Sequence, residues 1–347
     1  MRHFLLTVWL AVSVMMAQTT IGGRPAVVLE SGAARVVIDL GGGSIIGFEL
    51  KDLALNPLGW NNRGDAAPRP MSHFLCVDRW GQPSAAELAN GMPFHGEATR
   101  VEWKLLSASA TSAEMSAMLP MAGLEVVRRA QLKGAVLSVS ESVTNRNKLG
   151  RPYNMVQHPT IAPPFLDEAT LVDSNAKRGF MQSSALPNPE VPEVAWPQAL
   201  KDGEPVNLRR LASDPDPNVV SFVIDEPLGW VTAVAPAQGL LLGYVWKTAE
   251  YPWLNIWRHV EKGKPLARGL EFGTTGLHQP FSVLMQKGRI FGRPLMAYLD
   301  AGETQTRAYQ AFLVRTPQGT TGVERVMLRD GEVVVTRRGS PDELVVR

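Results

Sequence analysis

The sequence predicts an all-β protein, a large twisted antiparallel β-sandwich, and three observations carry that expectation. Apolar and polar residues alternate with a period near two along most of the chain after residue 24, as in strands with one buried and one wetted face. The alternating runs are short, rich in Val and Ile, and punctuated by 31 glycines and 26 prolines, the turn formers of antiparallel sheets. Helical periodicity is scarce, with residues 84–90 (SAAELAN) supporting one or two turns.

The elements follow in order. Residues 26–30 (AVVLE) and 34–40 (ARVVIDL) are β-branched runs joined by SGA, and a glycine triplet leads into residues 44–50 (SIIGFEL). Further strands are expected at 101–106, 113–118, 124–132 and 136–144, where residues 137–143 alternate without a break. Later runs fall at 219–224, 229–235, 240–246, 254–260, 281–286, 304–314 and 323–336. Asp330-Gly331 splits the last of these as a two-residue hairpin turn. No repeat of fixed period occurs, which argues against a propeller or solenoid. Residues 183–218 are Pro-rich and weakly periodic, and are expected to be a loop over the sandwich surface or a cleft.

Residues 1–17 (MRHFLLTVWLAVSVMMA) combine an early Arg2 with an apolar stretch and a small Ala17. They are read as a secretory signal peptide cut before Gln18, since a bilayer span asks for about 20 apolar residues. The expectation is an exported protein, periplasmic or extracellular, with one domain over 18–347 and no stable membrane insertion after processing.

Composition narrows the function. The 35 Lys+Arg nearly balance 33 Asp+Glu and no basic run exceeds two residues, so a nucleic-acid partner is not expected. The single Cys76 permits neither an internal disulfide nor a cysteine zinc cluster. Gly-x-Ser-x-Gly, Gly-x-Gly-x-x-Gly, P-loop and His-Glu-x-x-His patterns are absent. No histidine pair has close metal-ligand spacing, so no metal is expected, although His73 and His95 could converge in a β fold. Three residues have informative settings. His95 precedes Gly96 just before a strand. His158 precedes Pro159, which holds the chain extended. Glu271 lies between Leu270 and Phe272 in a glycine-flanked run, where burial would raise its pKa toward that of a useful base.

In chain order these segments resemble the galactose mutarotase-like superfamily of aldose 1-epimerases and hexose-6-phosphate epimerases. The likeness runs through residues 42–50 (GGSIIGFEL), 74–79 (FLCVDR), 93–96 (PFHG) with Arg100 and Trp103, 143–145 (VTN), 157–159 (QHP), 164–166 (PFL), 251–257 (YPWLNIW), 269–271 (GLE) and 299–303 (LDAGE). Phe272 stands where the family usually has Pro, and Arg100 is shifted by one. The resemblance implies a site on a concave sheet face. Glu271 would be the base and His158 the acid of a ring opening that interconverts sugar anomers without a cofactor. Arg79, His95 and Arg100 would bind the substrate, a small sugar or glycan end. Trp253 and Trp257, with Trp80, are candidates to stack on the ring. Two alternatives stand beside this: a non-catalytic secreted carbohydrate-binding protein, and a structural β domain of the cell envelope. Whether His73, His259 or His278 joins the site is open.

Overall fold

Residues one apart on a strand face opposite sides of a sheet, so the alternation above decides which side chains meet. A computed structural model describes residues 18–61, 69–210 and 218–347. The expected signal peptide lies outside them, as do 62–68 and 211–217. No helix among the described residues is long and apolar enough to cross a membrane.

Two large antiparallel sheets face each other. The twelve-stranded sheet has at its centre, side by side, strands His73–Asp78, Arg151–Ile161, Lys264–Gly273 and Trp253–Glu261. The eight-stranded sheet runs from Leu171–Ser174 to Lys104–Ala108, with Val136–Asn145, Thr304–Arg315 and Leu240–Lys247 in its middle. Between them lies an apolar core to which Leu75, Met155, Ile256 and Leu270 contribute from one side and Leu137, Val139 and Phe312 from the other. Strands Val323–Arg329, Glu332–Arg337 and Glu343–Val346 form a small third sheet that adds Val326, Val335 and Val346 to the same core. Its first turn is the expected hairpin, with both Asp330 and Gly331 at positive φ.

Two expectations are corrected. Residues 281–286 are not a strand: Phe281–Lys287 is a helix, opened by Pro280 and closed by Gly288 at φ 71. A short apolar run does not distinguish strand from helix, whereas the flanking Pro and Gly do. The Pro-rich stretch from 183 is also more than a loop. It contains Val194–Ala195 and the hairpin Gln198–Lys201/Glu204–Asn207, and it sends Ala199 and Leu208 into the core. The short helix foreseen near 84–90 is Ala85–Ala89, capped by reciprocal bonds between Ser84 and Glu87.

A polar chain crosses the core. The fully buried Glu141 carboxylate pairs with Arg128 at 2.6 Å and accepts a hydrogen bond from the Gln157 amide nitrogen. The Gln157 carbonyl is then left to accept, so the His73 ring nitrogen 3.2 Å away is the donor and its other nitrogen faces the Tyr244 hydroxyl. Burial, helped by the Arg128 charge, lowers the His73 pKa from 6.5 to about 3. The folded state therefore resists a proton that the unfolded chain accepts. The stability held by this group is complete above about pH 6.5 and is lost as pH falls toward about 3. In urea unfolding between about pH 6 and pH 4, His73→Gln is expected to reduce the pH slope by about one proton, roughly 1.4 kcal/mol per pH unit, whatever its effect on absolute stability.

Candidate functional site

The face of the twelve-stranded sheet turned away from the core carries the convergent chemistry. Strand register sets it up. Pairing Gln157 with Phe272 puts His158 opposite Glu271, and the next strand puts Phe74 opposite His158. These three side chains form a cross-strand row, with the Phe74 ring stacked on the His158 ring at 4.0 Å. His158 Nε2 lies 3.0 Å from Glu271 Oε1. Both residues are buried, at 5% and 1% exposure, yet both line a cavity of about 290 Å³. Trp60, Phe74, Trp80, Phe94 and Trp257 wall this cavity, and His95, His278 and Arg100 complete its polar lining. A larger hollow of about 580 Å³ lies on the eight-stranded sheet. It contains serines, glutamines and the Glu114–Arg129 ion pair but no histidine, so the smaller cavity is the better reactive site.

Each group at the site has a partner that fixes it. His158 Nδ1 is 3.0 Å from the Thr160 hydroxyl, which leaves Nε2 turned toward Glu271 Oε1. The other Glu271 oxygen accepts the Trp80 indole N–H at 2.7 Å. Gly269 makes room for the carboxylate, because a Cβ there would sit 2.8 Å from Oε1. His95 is held by a turn in which it and Gly96 both have positive φ. Its Nδ1 accepts the Gly81 N–H at 3.1 Å, so the neutral ring carries its proton on Nε2. Burial among the surrounding rings, with added repulsion from His158, His278 and Arg100, holds the His95 pKa well below the ordinary value. Burial and the His158 charge likewise lower His278 to about 4. At neutral pH these two imidazoles are uncharged hydrogen-bonding groups.

The structure brings together His95, Arg100, His158, Trp257 and Glu271 from the expected set. Arg100 is exposed at the cavity and makes no ion pair among the described residues. Two expected residues point elsewhere. Arg79 pairs with Asp78 at 2.6 Å and Glu87 at 2.7 Å, and faces a neighbouring hollow with Arg151 and Met121. A buried guanidinium needs its countercharges, and the helix that carries Glu87 draws it away from the cavity. Trp253 shares a sheet face with Trp257 but is fully buried. Leu277, Leu284, Ile290 and Leu295 cover it, and its indole donates to the Pro294 carbonyl. Trp60 and Phe94 join the cavity with no sequence signal to mark them. Of the histidines left open, His278 lines the cavity whereas His73 lies in the core. Phe272 points into the core and stacks on Trp246 at 4.1 Å, so the departure from the family's Pro changes packing and not the cavity wall. Among the described residues no group of three or more His, Cys, Asp or Glu side chains is arranged to hold a metal ion.

No family model and no curated protein matches the chain. Solved structures do. A galactose mutarotase-like protein from Clostridium acetobutylicum superposes with a TM-score of 0.65 at 14% identity, over 86% of this chain and 98% of that one. A galactose mutarotase related enzyme from Lactobacillus acidophilus gives 0.61 at 14% identity, over 84% and 98%. A proposed aldose 1-epimerase from Escherichia coli K12 gives 0.63 at 18% identity, over 84% and 99%. The chain has the galactose mutarotase-like fold. In this mutarotase-like fold, the cavity opens on the broad face of the larger sheet, away from the sandwich core.

The His95–Gly96 turn can be tested directly. A Cβ on Gly96 would lie 2.1 Å from the Val77 carbonyl oxygen, at a φ of 76°. Gly96→Ala is expected to destabilise the protein by on the order of 3 kcal/mol in thermal or urea unfolding. Gly22→Ala, which has a similar positive φ but open space around it, is expected to cost about 1 kcal/mol.

Proposed function

We propose that this protein interconverts the anomers of an aldose sugar, as an exported aldose 1-epimerase-like isomerase. One observation carries the reading: an imidazole and a carboxylate in 3.0 Å contact, exposed to a cavity with aromatic walls. The two oxygens on an anomeric carbon lie closer together than a hydrogen-bond length. An acid and a base held side by side therefore address both at once.

In the proposed reaction the sugar enters between the pair. Glu271 takes the proton from the anomeric hydroxyl while His158, carrying its second proton, protonates the ring oxygen. The C1–O5 bond breaks and C1 becomes an aldehyde, leaving a carboxylic acid and a neutral imidazole. Rotation about C1–C2 presents the other face of the carbonyl. Closure runs the same transfers backwards: the C5 hydroxyl attacks C1, His158 recovers its proton and Glu271 returns one to O1. Protons and electrons balance without a co-reactant. His95 offers an Nε2–H to a sugar hydroxyl, and Trp60 and Trp257, at 6.0 Å and nearly perpendicular, offer apolar surface to the ring. Arg100 would meet a substituent at the cavity rim. The apolar stretch before Gln18 supports export.

The test is NMR exchange spectroscopy or polarimetry of α-to-β conversion over a panel of aldoses. Wild type is expected to accelerate at least one sugar, and Glu271→Gln and His158→Ala are each expected to lower kcat by about 10²–10⁴-fold. Wild type no faster than the variants across the panel overturns the enzymatic reading. Calorimetric sugar binding without acceleration would instead indicate a carbohydrate-binding protein.

A further inference from the structure

Trp80 stands in the loop just after strand His73–Asp78 and is 2% exposed. Its indole N–H is aimed at Glu271 Oε2 at 2.7 Å. A buried indole N–H without an acceptor carries a desolvation penalty, and the carboxylate is the partner it finds. The ring has little freedom to leave. His278 packs edge-on against it at 4.6 Å and 78°. That contact depends on Gly81, where a Cβ would fall 2.6 Å from the His278 ring. Gly81 is tied in turn, since its N–H donates to His95 Nδ1 and its carbonyl accepts the His95 backbone N–H, both at 3.1 Å. Two consecutive residues, Trp80 and Gly81, thus touch the proposed base, the neutral donor His95 and the ring of His278.

We infer that Trp80 is a positioning residue: by occupying Oε2 it leaves Oε1 as the one oxygen of Glu271 that can exchange a proton with substrate and with His158. The catalytic half of this inference rests on the anomer-interconversion reading; the structural half does not. The stacking role first considered for Trp80 is secondary, because its polar edge is committed to protein.

The experiment has two arms. In ¹⁵N-tryptophan-labelled protein, one indole N–H is expected far downfield, as befits a short bond to a carboxylate, and Glu271→Gln is expected to shift that resonance upfield while the other indoles stay in place. An unchanged indole set overturns the inference, whatever the activity. In the second arm, Trp80→Phe keeps the aromatic volume and removes the donor. It is expected to lower kcat on the order of tenfold with KM nearly constant. A folded Trp80→Phe with unchanged kcat, or with KM raised as much as kcat falls, overturns the catalytic half. If Trp80→Phe does not fold, the indole resonance decides alone. Wild type inactive on every sugar, with the indole shift present, removes the anomer reading and leaves Trp80 as the partner of Glu271.

Discussion

The arrangement depends on the register between strands Arg151–Ile161 and Lys264–Gly273. Because side chains alternate, a slip of one residue would send His158 or Glu271 into the apolar core and bring Gln157 or Phe272 out. The interior side resists such a slip. Gln157 is bound into the buried chain that includes Glu141, Arg128 and His73, and Phe272 is clamped by Trp246 and Tyr251. The polar chain inside the sandwich and the His158–Glu271 row outside it are thus opposite sides of one pairing. Buried polar groups are costly unless satisfied, and here that cost helps specify which residues face the cavity.

The electrostatics of the cavity follow from how few charges it holds. Three imidazoles, one carboxylate and one guanidinium line it, but burial keeps His95 and His278 neutral. The other ionisable groups are the His158–Glu271 pair and Arg100. An imidazolium at His158 opposes a second positive charge on either neighbour, whose rings stand 5.5 Å from His158 for His95 and 5.6 Å between His95 and His278. The protonation states are therefore set jointly by packing and by the central pair.

Much of the fold was legible because strand alternation, Asp330-Gly331 and the scarcity of helical pattern are local signals. The meeting of His158 and Glu271 was legible because both occupy Gly- and Pro-marked strand segments whose order resembles a known family. What was not legible is non-local. Nothing near Arg79 in sequence says that Glu87 will capture it across a short helix. Trp253 and Trp257 have the same parity, and the packing around helix Phe281–Lys287 decides which of them is roofed over. That helix was itself expected to be a strand, so the two errors are linked. His278 reaches the cavity through the space left by Gly81, a contact spanning nearly two hundred residues.

The direct contact between His158 and Glu271 has a consequence for turnover. In the proposed reaction a sugar entering between the two groups must part this 3.0 Å contact, which re-forms when it departs. On that reading the contact is a reversible latch. It would trade tight holding of either anomer for rapid clearing of the cavity, which suits the proposed reaction, whose substrate and product differ only in the direction of one hydroxyl.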